Sequence, residues 1–229
     1  MRAIAIAWLA ACSHSSPTTG DDSGSACTAI PAPESGDGTY YAADGTGNCS
    51  FDASPNDLMV AAMNAPDYAN AAWCGACLDV TGPQGDVVVR VVDQCPGCAH
   101  GDLDLSSQAF AVLSPLSAGR IAITWHEVAC DVTGPIEYEF KDGSSQYWTA
   151  IQIRNARYPI ATVESQATAG AWQTIDRADY NYFVAASGLG AGPYALRVTD
   201  ARGQVLADTG IALGAAVERD GAAQFPTCP

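Results

Sequence analysis

Eight cysteines, Cys27, Cys49, Cys74, Cys77, Cys95, Cys98, Cys130 and Cys228, limit what this 229-residue chain can fold into more than any other feature. Cys74-Gly-Ala-Cys77 and Cys95-Pro-Gly-Cys98 lie seventeen residues apart, the spacing of two zinc knuckles in a reducing compartment. In an oxidising compartment an even set of thiols pairs into a disulfide framework instead. The N-terminus decides between these. MRAIAIAWLAAC carries one positive charge and an apolar stretch from Ala3 to Ala11 that is too short to span a bilayer. This is the pattern of an export signal, so a disulfide framework is expected and a metal site is not. A thioredoxin-like role for CPGC is disfavoured as well, because no strand-helix-strand pattern surrounds it.

A ninth cysteine, Cys12, closes Leu9-Ala10-Ala11-Cys12, which resembles the lipobox of bacterial lipoproteins, whose cysteine is acylated and becomes the new N-terminus. Acyl chains anchor by burying methylenes, each worth about 0.8 kcal/mol. With Ser13 rather than Asp after it, the lipid would hold the protein at the outer membrane of a Gram-negative cell. Residues 1–12 are thus expected to be a lipoprotein signal. Residues 13–37, rich in Ser, Thr, Gly, Pro and Asp, are expected to be a disordered tether.

The formal charge is −15, and losing Arg2 with the signal makes it −16. Such a surface repels nucleic acid, anionic lipid and polyuronic acids, leaving neutral polymers as partners. With 22 Gly, 13 Pro and few helical repeats, the composition favours short strands joined by turns, an all-β protein. Ile121, Ile123 and Trp125 alternate with Ala122, Thr124 and His126, as in a half-buried strand. Residues 87–92, VVVRVV, are nearly continuously apolar, as in a strand covered on both faces or closed in a barrel. Strands are also predicted at 39–42 and 77–81. Helical turns are predicted after Ser54-Pro55, running through Leu58, Val60 and Met63, and after Ser106, through Phe110 and Leu113. A turn-rich junction at 131–135 precedes further short strands, at 136–140, 150–154, 160–164, 173–175, 194–199 and 204–207, the pattern of a small sandwich.

Several stretches together resemble one family: GTYY (38–41), DGTGNCSF (44–51), WCGACLDV (73–80), VVDQCPGCAHGDLDLS (91–106), GRIAITWHEVAC (119–130), GSSQYWTAIQIRN (143–155) and ADYNYFV (178–184). In this order they are similar to the expansins. The resemblance implies a six-stranded double-psi β-barrel over residues 38–131 and an immunoglobulin-like, cellulose-binding β-sandwich over 135–229. It places Thr39, Asp93 and Asp104 in the polar cluster of the barrel groove, with Asp104 as the acid that activity requires. Where some bacterial members have a groove tyrosine, this chain has Cys95. Tyr147, Trp148 and Tyr180 fall on the family's aromatic platform. It also implies disulfides Cys49–Cys74 and Cys77–Cys130; Cys95–Cys98 would staple the loop, which leaves Cys27 with Cys228.

Cutting a β-1,4-glucan normally takes two carboxylates. The glycosidases related to this family keep their base just after a Thr-x-Tyr motif, and the corresponding position here is about Ala43. The neighbouring Asp44 would point to the other strand face or lie in a turn. No hydrolysis is therefore expected. Asp93 is expected to position Asp104, Asp102 to be solvated, His100 to be a surface residue, and Trp73 and Trp172 to pack. Tyr147 and Trp148 are adjacent, so they share a surface only if the chain bends. The implied function is non-hydrolytic loosening of cellulose or another neutral β-glucan, xyloglucan and peptidoglycan being further candidate polymers. The protein would be an extracellular or surface-anchored monomer that needs no cofactor. A peptidoglycan lytic transglycosylase and a pure polysaccharide-binding protein are the alternatives.

Overall fold

The computed structural model describes residues 27–166 and 170–228. The signal segment, Cys12 and residues 13–26 of the expected tether lie outside the described residues.

The first unit is a closed six-stranded barrel: β1 (Glu34–Tyr41), β2 (Val60–Asn64), β3 (Cys77–Gly82), β4 (Gly85–Cys95), β5 (Leu103–Ser106) and β6 (Ile121–Val128). Around the barrel the order is β1-β5-β2-β4-β3-β6. The pairs β1/β5 and β2/β4 are parallel; the others are antiparallel. Closure removes sheet edges and turns Leu78, Val80, Val89, Val91, Leu103, Leu105 and Ile123 into one core. In β6 the predicted alternation appears as burial at Ile121, Ile123 and Trp125. In β4, Val89, Val91 and Val92 are buried, whereas Val88 is 48% exposed, so only part of that apolar run is covered on both faces.

The predicted helical turn through Leu58, Val60 and Met63 is instead a turn at 54–57 followed by strand β2. All five β2 residues are buried between β4 and β5, and this tertiary pairing overrides the local helix-start signal of Ser54-Pro55. The second helix is α2 (Ser107–Leu113), whose cap Ser106 accepts from the Ala109 N–H at 3.0 Å. A short α1 (Ala65–Tyr68) follows β2.

Residues 27–37, expected as part of a tether, are tied into the fold. Strand β1 starts at Glu34, and Cys27 is bonded to Cys228. Thr28 N–H donates to the Arg202 carbonyl at 2.9 Å, so the segment ahead of β1 is strapped to the second unit. The other disulfides are Cys49–Cys74, Cys77–Cys130 and Cys95–Cys98. Cys74 and Cys77 are thus bonded to separate distant partners, and Cys95 and Cys98 to each other.

The second unit comprises β7 (Glu137–Phe140), β8 (Thr149–Arg154), β9 (Ile160–Gln166), β10 (Trp172–Arg177), β11 (Phe183–Ala185), β12 (Tyr194–Asp200), β13 (Val205–Ile211) and β14 (Val217–Asp220). They form an antiparallel sheet in the order β13-β12-β9-β10-β11-β8-β7-β14. Strand β10 pairs with β9 through Trp172–Ile175 and with β11 through Asp176 and Arg177, so it carries the sheet around a corner. Tyr138, Phe140 and Ile151 from one arm then pack with Val163, Leu196 and Val198 from the other.

The two units share a polar seam. Gln152 Nε2 and Asn181 Nδ2 donate to the Cys49 carbonyl at 2.8 and 3.2 Å. The Arg154 guanidinium meets Asp52 at 2.6 Å, and the Cys130 N–H donates to the Arg157 carbonyl at 3.0 Å. Arg202 and Glu127, both buried, form an ion pair across it.

Candidate functional site: a groove row and an aromatic turn

Strand register assembles the groove. Thr39 on β1 is the partner of Asp104 on β5, Asp104 is the partner of Ala62 on β2, and Ala62 is the partner of Asp93 on β4. Four side chains thus form one row across four adjacent strands. Neighbouring strands lie about 4.8 Å apart, so the α-carbons of Asp104 and Asp93 are separated by roughly 9.5 Å, with only the small Ala62 between them. A register shift between Ala61 and Ala62 makes Asp93, rather than Val92, the partner of Ala62. Without that irregularity, period-2 alternation would turn Asp93 to the other face.

Thr39 Oγ1 donates to Asp104 Oδ1 at 2.6 Å and fixes its orientation. Asp93 Oδ1 accepts from the N–H groups of Asn48 and Gln94, at 2.7 and 2.8 Å. Asp93 thus holds the 44–52 loop as a groove wall, and no hydrogen bond joins it to Asp104 among the described residues. The wall passes so close that a Cβ at Gly47 would sit 2.4 Å from Asp93 Cβ, which only glycine tolerates. Asp44 turns to Thr46, accepting from its N–H at 2.9 Å and its hydroxyl at 2.6 Å; these bonds hold its carboxyl below the usual range.

Tyr41 belongs to this site although its side chain was not singled out in the sequence. Its hydroxyl is buried without a hydrogen-bond partner among the described residues. Burial, then the fields of Asp93, Asp104 and Asp44, push the phenol well above its ordinary value, so it stays a protonated donor facing the groove carboxylates. The available signal was the spacing Thr39-x-Tyr41, two residues apart on one strand face.

Other groove-loop residues have structural partners. Asp102 is not a free solvated acid: it accepts from the Asp37 N–H at 2.8 Å and the Ala99 N–H at 3.1 Å, closing the loop that Cys95–Cys98 staples. His100 is 63% exposed, with Nδ1 2.7 Å from Asp67. Trp73 packs edge-on to Trp125, while Trp172 lies under the Arg197 guanidinium.

In the second unit, Ser145 and Trp148 close a tight turn by a reciprocal pair of backbone hydrogen bonds at 2.7 and 3.3 Å. This supplies the bend that adjacent aromatics need. Tyr147, at the tip, is 75% exposed, and Trp148 is half-buried. Behind the turn, Gly190 N–H donates to the Gln146 carbonyl at 3.1 Å; a Cβ at Gly188, where φ is +72°, would strike that carbonyl at 2.1 Å. Tyr180 is half-buried, with its ring 5.9 Å from Tyr182. Lys141 Nζ lies 4.7 Å from the Tyr182 ring and 5.7 Å from the Tyr180 ring, a cationic neighbour for which the sequence held no distinctive signal. Tyr182 donates to Glu139 at 2.6 Å, and burial with this carboxylate raises its phenol.

Asn48 links the two regions. Its N–H holds Asp93, and its Nδ2 donates at 2.9 Å to the carbonyl of Asp179, the residue before Tyr180; the Tyr68 hydroxyl donates to the same carbonyl at 3.0 Å. The groove wall and one end of the aromatic surface are therefore fixed to each other.

No protein-family profile matches the chain. Among curated proteins, Expansin-YoaJ of Bacillus subtilis (strain 168) is 40% identical over 163 residues, which is 69% of this chain and 69% of that protein. The chain belongs to the expansin family. Expansin-like protein 1 of Dictyostelium discoideum is 30% identical over 181 residues, 73% of this chain and 63% of that protein. Two crystal structures of the Clavibacter michiganensis expansin each cover 86% of this chain and 100% of their own. The d78n mutant in complex with cellohexaose aligns with a TM-score of 0.80 at 37% identity, and the apo form with 0.79 at 38%. This expansin shares their β architecture, and its closed six-stranded barrel followed by a second sheet agrees with the family resemblance read from the sequence motifs.

Proposed function

We propose that this expansin loosens cellulose-containing walls without cutting them, by holding one β-1,4-glucan chain along the barrel groove and the aromatic turn together. The observation that carries this is the Asn48 link, whose bonds to Asp93 and to the carbonyl before Tyr180 support reading Thr39, Asp93 and Asp104 together with Tyr180 as one binding surface. Tyr147, Trp148 and Tyr180 stack on the apolar faces of glucose rings, the second unit serving as the carbohydrate-binding module. Asp104, oriented by Thr39, exchanges hydrogen bonds with glucan hydroxyls that would otherwise bind neighbouring chains. Hydrolysis does not fit the row. The position where related glycosidases keep a second carboxylate corresponds to about Ala43, Asp44 is committed to Thr46, and Asp93 Oδ1 is committed to two backbone N–H groups. The −15 formal charge favours neutral glucans such as cellulose and xyloglucan over pectin. The protein acts outside the cell as a monomer, tethered by a lipid on Cys12.

The test is weakening of cellulose paper by purified protein beside an assay for soluble sugar and muropeptide release, with Asp104→Asn in parallel. Weakening by wild type, its loss in Asp104→Asn, and no release from either is the expected result. Sugar or muropeptide release abolished by Asp104→Asn would make the protein a lytic enzyme and end the proposal.

A further inference from the structure

Every described arginine except one donates a side-chain hydrogen bond within the protein. The exception is Arg90, on the outer wall of β4. Its guanidinium lies 4.9 Å above the Phe51 ring and makes neither a hydrogen bond nor an ion pair among the described residues. It is half-buried, and the loss of hydration lowers its pKa, so its position carries a cost that no protein acceptor offsets. Five N–H donors in a rigid fork are left open.

The guanidinium separates two clefts at the seam between the units. One, of about 200 Å3, is bounded by Asp57, Met59, Val88 and Asp131. The other, of about 210 Å3, is bounded by Phe51, Asp52, Glu137, Asn155 and Arg154, the last already paired with Asp52, Glu139 and Glu218. Met59 and Val88, 37% and 48% exposed, are two of the few large apolar side chains that the fold leaves in water. An open donor fork, carboxylates on both sides and small apolar contacts between them describe one class of ligand. A sugar there would accept from Arg90 with its hydroxyl oxygens, donate its hydroxyl hydrogens to Asp57 and Asp131, and lay its C–H faces on Met59 and Val88. An anion would meet Asp57, Asp131 and Glu137 together with the negative net charge, so the ligand is neutral.

We propose that the seam around Arg90 is a second saccharide subsite, on the barrel's outer wall, which takes a neutral sugar unit from a branch or a neighbouring chain. It rests on the polysaccharide-binding reading above and extends it from one bound chain to two contacts. The test is an amide-shift titration of the mature protein with cellohexaose, with a branched xyloglucan oligosaccharide and with a galacturonic acid oligomer. Each is run on wild type, on Tyr147→Ala/Trp148→Ala, and on Arg90→Gln in both backgrounds. Shifts at Met59, Arg90, Asp131 and Asn155 with a neutral oligosaccharide, persisting without the aromatic turn and weakened about tenfold or more by Arg90→Gln, are expected. Wild-type mapping needs no variant and stands even if Arg90→Gln misfolds. Silent seam amides, shifts that survive Arg90→Gln, or tighter binding of the galacturonic acid oligomer there would overturn it. Cellulose pull-down reports the main reading separately: intact pull-down with silent seam amides removes the subsite alone, and seam shifts in a protein that fails pull-down keep the subsite and remove the platform.

Discussion

Truncating Tyr147 to alanine isolates the stacking contribution. The ring stands at the tip of the Ser145–Trp148 turn and is 75% exposed, so nearly all of it is open to a ligand. An aromatic side chain buries about 150–250 Å2 when fully covered, and a sugar lying on one face covers roughly half, ~100 Å2. At about 25 cal/mol per Å2 this contributes ~2.5 kcal/mol. Ordering the ring costs ~0.5–1 kcal/mol, which leaves ~1.5–2 kcal/mol, or roughly 10- to 30-fold in Kd. Because the side chain packs on little else, the same truncation changes folding stability by less than ~0.5 kcal/mol. The measurements are a depletion isotherm on microcrystalline cellulose and a urea unfolding curve for wild type, Tyr147→Ala and Tyr147→Phe. Tyr147→Phe keeps the stacking face and is expected to bind within about twofold of wild type. If Tyr147→Ala also binds within twofold, the turn is not the cellulose-binding surface.

Three further perturbations test other links. Gly47→Ala pushes a methyl into Asp93 and displaces the groove wall; cellulose-paper weakening is expected to fall at least several-fold while pull-down on cellulose is kept, and unchanged weakening would show that the wall does not matter. Arg202→Met leaves Glu127 buried without its counter-charge, a loss of ~3–5 kcal/mol by denaturant unfolding near pH 7. Burial already raises the Glu127 pKa above its ordinary 4.5, so the folded state takes up that proton more readily than the unfolded one; the loss should shrink as pH falls toward 4.5 and be largest above the raised value. Cys27→Ser with Cys228→Ser opens a link spanning 201 residues and should cost roughly 2–4 kcal/mol in urea, with faster proteolysis ahead of β1.

Much of the site was legible because its signals are local. Asp104 and Thr39 stand in short motifs, the alternation of β6 follows from period 2, and Ser106 announces α2 by its capping chemistry. Strand β2 was not legible: Val60-Ala61-Ala62-Met63-Asn64 has neither helical nor alternating pattern, since every position is covered by a neighbouring strand or by the core. Tyr41 was only half legible, because spacing places it beside Thr39 while the burial of its hydroxyl, near carboxylates from three separate segments, is set by the tertiary fold.

The amino-acid sequence alone determined the set of cysteines available for disulfides, the β-rich class and the residue types available for a β-glucan. Each follows from composition, spacing or hydropathy within a short window. Only the tertiary structure decided that Thr39, Asp104, Ala62 and Asp93 form one row, that Asn48 joins this row to the carbonyl of Asp179, and that Arg90 sits over Phe51 with no hydrogen bond or ion pair among the described residues. The physical reason is that strand register and barrel closure are set by packing among residues far apart in the chain. A shift of one position, such as the irregularity at Ala61 and Ala62, decides which face a carboxylate occupies.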